Sequence, residues 1–115
     1  MAADKKLLSG NTTMLVLKLL EEKDMYGYQI IEELSKKSEK VFHLKTGTLY
    51  PILHGLENDG MVVSYDENAD SQRVRKYYQL TKQGKALLAE KQSDWETYSR
   101  AVGSVMGRGV GYAFA

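Results

Sequence analysis

Basic side chains are concentrated in one stretch of the sequence that contains no acid. Residues 71–89 carry five basic side chains and no aspartate or glutamate. Such groups can bind phosphates, although they can also be simply solvated on a protein surface. The formal net charge of the chain is only +1, so total charge does not decide between these two interpretations. The basic residues of the stretch are Arg73, Arg75, Lys76, Lys82 and Lys85.

A second set of side chains offers hydrogen-bond donors on one predicted helix. This helix begins near Thr46 and ends near Gly60, and its apolar residues recur with the spacing of a buried stripe. The opposite face is small, flat or polar rather than charged, which suits a helix that enters the DNA major groove. The candidate DNA contacts of this region are Lys45, Thr46, Thr48, Tyr50, Pro51 and His54.

Neither catalysis nor metal binding is indicated by the remaining reactive residues. The chain has no cysteine, which excludes a disulfide framework, a thiol nucleophile and thiolate metal ligands. His43 and His54 are eleven positions apart, with no acid or histidine at ligand spacing. No phosphate-binding glycine loop, zinc-protease motif or nucleophile elbow is present. We therefore predict no enzyme, no cofactor and no metal site.

The elements that must position these residues are three short helices, a hairpin and a long helix. Residues 11–13 can cap the first helix, and Gly27 allows the second to approach a neighbour closely. Gly60 is expected to end the third helix and Thr81 to cap the last. The predicted bounds are 14–22, 26–37 and 46–59 for the short helices, 61–65 and 74–80 for strands around a polar loop, and residue 82 onward for the long helix.

This order of elements predicts a winged helix-turn-helix, an α+β and mainly α fold, with an extra C-terminal dimerisation helix. The second and third helices would form the helix-turn-helix, and the hairpin, or wing, would carry Arg73, Arg75 and Lys76 to the DNA backbone. Residues 1–80 are thus the predicted DNA-binding domain. Residues 81–106 are the dimerisation helix, and residues 107–115 form a C-terminal tail.

The long helix carries an apolar seam with one polar break at Lys91. Its residues recur at spacings of three or four, as in a coiled coil. We expect this seam to lack an intrachain partner, so that a second copy of the chain covers it and orders the glycine- and aromatic-containing tail. The predicted dimer contacts are Leu88, Trp95, Tyr98, Val102 and Val105.

Three sequence segments, taken together, resemble the PadR family of transcriptional regulators. They are YGYQIIEEL (26–34), GTLYPILHGLENDGMVVSY (47–65) and RVRKYYQLTKQGKALL (73–88). The resemblance spans about residues 8–90 and implies a homodimeric winged-helix repressor of the family's short subgroup, with one C-terminal dimerisation helix. It maps the family's helix tyrosine onto Tyr50 and its basic wing residues onto Arg73, Arg75 and Lys76. Gly55 departs from the basic residue often found before the following leucine.

The resemblance also implies a ligand-binding role for the last helix. Some family members bind flat aromatic compounds at the dimer interface, where a tryptophan stacks on the ligand. Trp95 matches that tryptophan in type and place, and Tyr98 lies one turn further along. The alternative is that Trp95 only packs in the dimer core. For family members that sense phenolic acids, Arg100 is the one candidate partner of a carboxylate.

The sequence as a whole predicts a cytoplasmic, DNA-binding regulator, specifically a ligand-responsive repressor of a pseudo-palindromic operator. Tyr28 is a further candidate phosphate contact. The alternative is a winged-helix module that binds a protein and no DNA. Such a module would carry an acidic or apolar recognition face, and the face predicted here is neither. The longest nearly apolar run, residues 14–20, is interrupted by Lys18 and is too short to span a membrane. The first eleven residues lack the apolar segment of a secretory signal.

Overall fold

A computed structural model describes residues 10–70 and 73–107 of the chain. Within these residues, four helices pack with a three-stranded antiparallel sheet of order β1-β3-β2. This arrangement confirms the predicted α+β, mainly helical class and the winged helix-turn-helix layout. The elements are α1 (Thr12–Glu22), β1 (Met25–Tyr26), α2 (Gly27–Lys37), α3 (Thr46–Asn58), β2 (Val62–Asp70), β3 (Arg73–Leu80) and α4 (Lys82–Val105).

Two features of the sheet differ from the prediction. β1 is a two-residue strand in which Met25 lies opposite Tyr78 and Tyr26 lies opposite Tyr77. β2 continues to Asp70, so residues 66–70 of the segment predicted as a polar loop are strand. This segment pairs with β3 but does not alternate apolar and polar residues, and such alternation is what our strand prediction depended on. The wing is therefore longer than the sequence indicated.

The amphipathic stripes of the helices meet in one hydrophobic core. The predicted faces of α2 and α3 are buried through Ile30, Leu34, Leu49, Leu53 and Leu56. Burial of one such side chain stabilises the fold by about 1.5–3 kcal/mol. The core also includes α1, which is buried on most of its circumference, and the sheet residues Met25, Val62, Tyr78 and Leu80.

The C-terminus of α3 is joined to the N-terminus of α4 by a tight polar contact. Gly60 adopts a left-handed φ of 78°, as predicted for a helix C-cap. The Thr81 hydroxyl lies 2.7 Å from the carbonyl oxygen of Gly60, to which it can donate, and accepts the amide hydrogen of Gly84 at 3.0 Å. Thr81 thus caps α4 as predicted. Asn11 occupies the corresponding position of α1 but makes no side-chain capping hydrogen bond, contrary to our expectation.

The long helix α4 has one buried and one exposed apolar face. Leu88 belongs to the core of its own protomer, and the first half of α4 packs on α1. The prediction that the whole seam lacks an intrachain partner is therefore wrong. Further along, Tyr98, Val102 and Val105 are exposed by 68%, 39% and 86%. At about 100° per residue these three form a stripe centred roughly 70° around the helix from Leu88 and roughly 90° from the buried Ser99.

The sequence predicted a C-terminal tail and no segment that spans a membrane. The tail beyond Gly107 lies outside the described residues. Within the described residues, no helix combines the length and the hydropathy that a membrane span requires.

Candidate nucleic-acid interface

A groove lies between α3, the start of α2 and the free edge of β3. It has a volume of about 550 Å³. The short β1 pairs with β3 only at Tyr77 and Tyr78, so residues 73–76 of β3 pair with β2 along one edge and leave the other edge open to this groove. Six of the ten predicted DNA contacts line it: Tyr28, Tyr50, His54, Arg73, Arg75 and Lys76.

The other four predicted contacts lie at the N-terminal end of α3. Lys45, Thr46, Thr48 and Pro51 are all exposed, as is His54 one turn beyond Pro51. Lys45 occupies the N-cap position without a side-chain capping hydrogen bond, which leaves amide hydrogens of the first turn for an anion. The polar face of α3 is thus accessible along its length.

Tyr50 is positioned by the glycine that begins α2. A Cβ atom added at Gly27 would overlap the hydroxyl and ring of Tyr50. The close approach predicted for Gly27 is therefore confirmed, and its neighbour is the tyrosine singled out on α3. Tyr50 is half-buried, and its ring centroid lies 6.3 Å from that of His54. The two rings form the side of the groove that faces the wing.

Three tyrosines form a ladder on the outer face of the wing, and sequence analysis did not identify it. The Tyr65 and Tyr77 rings stack with centroids 5.8 Å apart, and Tyr77 meets Tyr26 edge-on at 5.4 Å. The Arg75 guanidinium lies 4.4 Å from the centroid of Tyr26. This cation–π contact fixes Arg75 at the edge of the groove. The ladder depends on β1, whose two residues carry no periodic signal in the sequence.

Asp24 attaches this ladder to the end of α1. The Tyr65 hydroxyl donates a 2.6 Å hydrogen bond to Oδ2 of Asp24, and Gln79 Nε2 donates to the same oxygen at 3.3 Å. The hydrogen bond to Asp24 favours the neutral phenol and raises the pKa of Tyr65 to about 12. The wing is thereby held to the helical body by both backbone pairing and side chains.

The basic strand of the wing faces an acidic strand. The register places Asp66 opposite Lys76, Glu67 opposite Arg75, and Asp70 opposite Arg73. The stretch without acids in the sequence is therefore not free of acids in space.

A separate cavity of about 290 Å³ lies between α1 and α4. Its walls include Met14, Leu15, Phe42 and Leu88, and the half-buried Trp95 lies at one side. Tyr98 lines a neighbouring groove together with Trp95. The cavity that Trp95 borders is lined by residues of a single protomer. Arg100 is exposed and is not among the residues that line either space.

The described part of the chain contains no cluster of metal-binding side chains. There, no group of three or more histidine, aspartate or glutamate side chains is placed to hold a metal ion.

Comparison with known proteins relates the chain and its fold to transcriptional regulators. A family model, the transcriptional regulator PadR-like family, matches residues 16–90, which include α2, α3 and the wing. The transcriptional regulator Rv3488 of Mycobacterium tuberculosis is 37% identical over 81 residues, covering 70% of this chain and 72% of that protein. A transcriptional regulator from Clostridium thermocellum is similar in structure with a TM-score of 0.79 at 28% identity, covering 86% of this chain and 96% of the other. A PadR family transcription regulator from Clostridium difficile R20291 gives a TM-score of 0.73 at 34% identity, covering 84% and 99%.

Proposed function

Because the chain belongs to the PadR-like family of transcriptional regulators, we propose that it acts as a homodimeric repressor that binds a pseudo-palindromic operator. The observation that carries this proposal is the groove in which residues of α2, α3 and β3 converge. Two-fold symmetry of a dimer would present two α3 helices to successive turns of the DNA major groove, about 34 Å apart. Occupation of this site would block transcription from an overlapping promoter.

The residues of the interface divide into two roles. Thr46, Thr48 and His54 lie on the exposed face of α3 and present donors to base edges in the major groove. Tyr50 supports this face from the side of the groove. The remaining residues bind phosphates and set the position of the protein without reading sequence: Tyr28, Lys45, Arg73, Arg75 and Lys76. Pro51 keeps the exposed face of α3 flat.

Salt dependence is the test of this function. If the dimer contacts on the order of six to ten phosphates, its affinity should fall about 10³–10⁵-fold between 50 and 200 mM salt, because bound counterions are released from the DNA. The measurement is an electrophoretic shift or fluorescence anisotropy titration with a duplex from the region upstream of its own gene, against a shuffled duplex of equal composition. Absence of salt-sensitive binding to either duplex would contradict the proposal.

The cavity between α1 and α4 is the proposed effector site. Its apolar lining and the half-buried Trp95 suit a planar aromatic molecule that stacks on the indole, with Tyr98 at the neighbouring groove. Because Asp24 follows the C-terminal end of α1 by two residues, a ligand that displaces α1 would move the attachment of the wing. This is how an effector would release the repressor from DNA.

Trp95 is the only tryptophan of the chain, so tryptophan fluorescence reports on this one position, which lines the cavity and the neighbouring groove. We expect planar aromatic compounds to quench it in a saturable manner, because a stacked ring changes the environment of the indole. The substitution Leu15→Gln, which places a polar group in the cavity wall, should weaken the quenching, whereas Glu90→Gln on the exposed face of α4 should not. An unchanged spectrum across a broad panel of such compounds would leave Trp95 with a packing role only.

A further inference from the structure

The acidic strand of the wing is a feature that phosphate binding does not explain. β2 places Asp66 and Glu67 directly opposite Lys76 and Arg75 of β3. Directly opposite residues of an antiparallel pair lie on the same face, with Cβ atoms about 4.5–5.5 Å apart. Since side chains alternate along a strand, each face of the wing carries one acid next to one base.

These acids are not consumed in ion pairs. Within the described residues, neither Asp66 nor Glu67 forms an ion pair, whereas Lys18 pairs with Glu21 and Lys37 with Glu22. Asp66 and Glu67 are exposed, and the Arg75 guanidinium is directed to the Tyr26 ring. The carboxylates therefore keep their charge next to the place where a phosphate would bind.

We propose that Asp66 and Glu67 are specificity-determining residues that repel the DNA backbone from the wing. The inference rests on the proposed function. A phosphate bound at Arg75 or Lys76 must lie close to the opposing carboxylate, and the repulsion cancels part of the attraction. Binding to a random duplex consists of phosphate contacts alone, so it bears this penalty in full. On the operator, base contacts of α3 add affinity that this repulsion does not reduce, and they set the distance between the wing and the backbone.

The experiment is the double substitution Asp66→Asn with Glu67→Gln, which removes both charges and keeps the size of the side chains. Affinities are measured by anisotropy at 50 mM salt for two duplexes. One is the tightest-binding duplex selected from a random-sequence pool, and the other is its shuffled version. We expect the variant to bind the shuffled duplex about tenfold more tightly than the unsubstituted protein does. For the selected duplex, the expected gain in affinity is about two- to threefold. A gain in affinity cannot arise from misfolding.

The matched control is Glu90→Gln with Glu96→Gln, which changes net charge equally at exposed positions of α4. It should leave both affinities within about twofold, because exposed charges beyond a Debye length are screened. Unchanged binding of the shuffled duplex by the wing variant would overturn the inference, as would an equal gain for both duplexes or an equal gain in the control. Failure of the unsubstituted protein to bind any duplex would overturn the proposed function itself.

Discussion

Replacing Gly84 with alanine is expected to lower the free energy of unfolding by about 1–3 kcal/mol, the cost of inserting a methyl group into a filled space. A Cβ atom at this position would overlap the backbone carbonyl of Met61 and the Leu80 side chain. The Met61 carbonyl oxygen accepts the Thr81 amide hydrogen at 3.1 Å. It can move only if the junction between α3 and α4 opens. Urea denaturation followed by circular dichroism measures the change.

Gly55→Ala is the matched control, with the opposite expected sign. Gly55 lies inside α3, and a Cβ atom there would meet nothing within 4 Å. Alanine should raise the stability by about 0.5–1 kcal/mol, because glycine loses more conformational freedom in a helix. A stability loss of the same size in both variants would mean that contact at Gly84 is not the cause. Gly27→Ala differs from both because it meets the movable side chain of Tyr50. Its main effect should be on the groove.

Local signals explain why much of the fold was predictable. The stripes of α2 and α3, the left-handed Gly60 and the cap at Thr81 each depend on residues within one or two helical turns. β1 could not be predicted this way, because two residues have no periodicity and are held by pairing with Tyr77 and Tyr78, more than 50 positions away along the chain. The polar part of β2 was missed because its residues do not alternate between apolar and polar.

The candidate site was predictable in its residues but not in its electrostatics. Residue type and spacing identified the donors of α3, and six of the ten predicted contacts do line one groove. The stretch without acids begins at residue 71 of the sequence, whereas the residues of β3 lie next to acidic residues of β2, which precede that position. Asp66 and Glu67 lie before the basic stretch in the sequence, yet they become the cross-strand neighbours of Lys76 and Arg75. Only the register of the hairpin reveals this.

The apolar residues of α4 do not form one continuous surface, as we had predicted, because their seven-residue spacing differs from the period of a straight helix. Residues spaced at seven, such as Leu88, Trp95 and Val102, drift by about 20° per repeat. Over this length one side of the seam turns towards α1 and the other stays exposed. Leu88 therefore stabilises the protomer, and the surface left for a second copy is Tyr98, Val102 and Val105. Our proposal of a dimer depends on this shorter stripe.

The double substitution Val102→Asp with Val105→Asp is expected to convert the dimer into monomers and to reduce affinity for a palindromic duplex by about 10²–10⁴-fold. In a two-fold interface the same stripe of both copies meets, so the variant brings four carboxylates into an apolar contact, where burying each charge is costly. A monomer binds each half-site separately and loses the effective concentration that linkage provides. Sedimentation equilibrium gives the oligomeric state, and anisotropy gives the affinity.

Ser104→Asp tests whether position on the helix, rather than added charge, causes the loss. Ser104 is exposed and lies outside the stripe, next to Val105 in sequence but about 100° around the helix. It should leave both the dimer and the DNA affinity unchanged within about twofold. A Val102/Val105 variant that remains dimeric would show that another surface joins the protomers. A monomeric variant with undiminished affinity would show that one α3 helix is enough for binding, because the linkage of two half-sites would then contribute nothing.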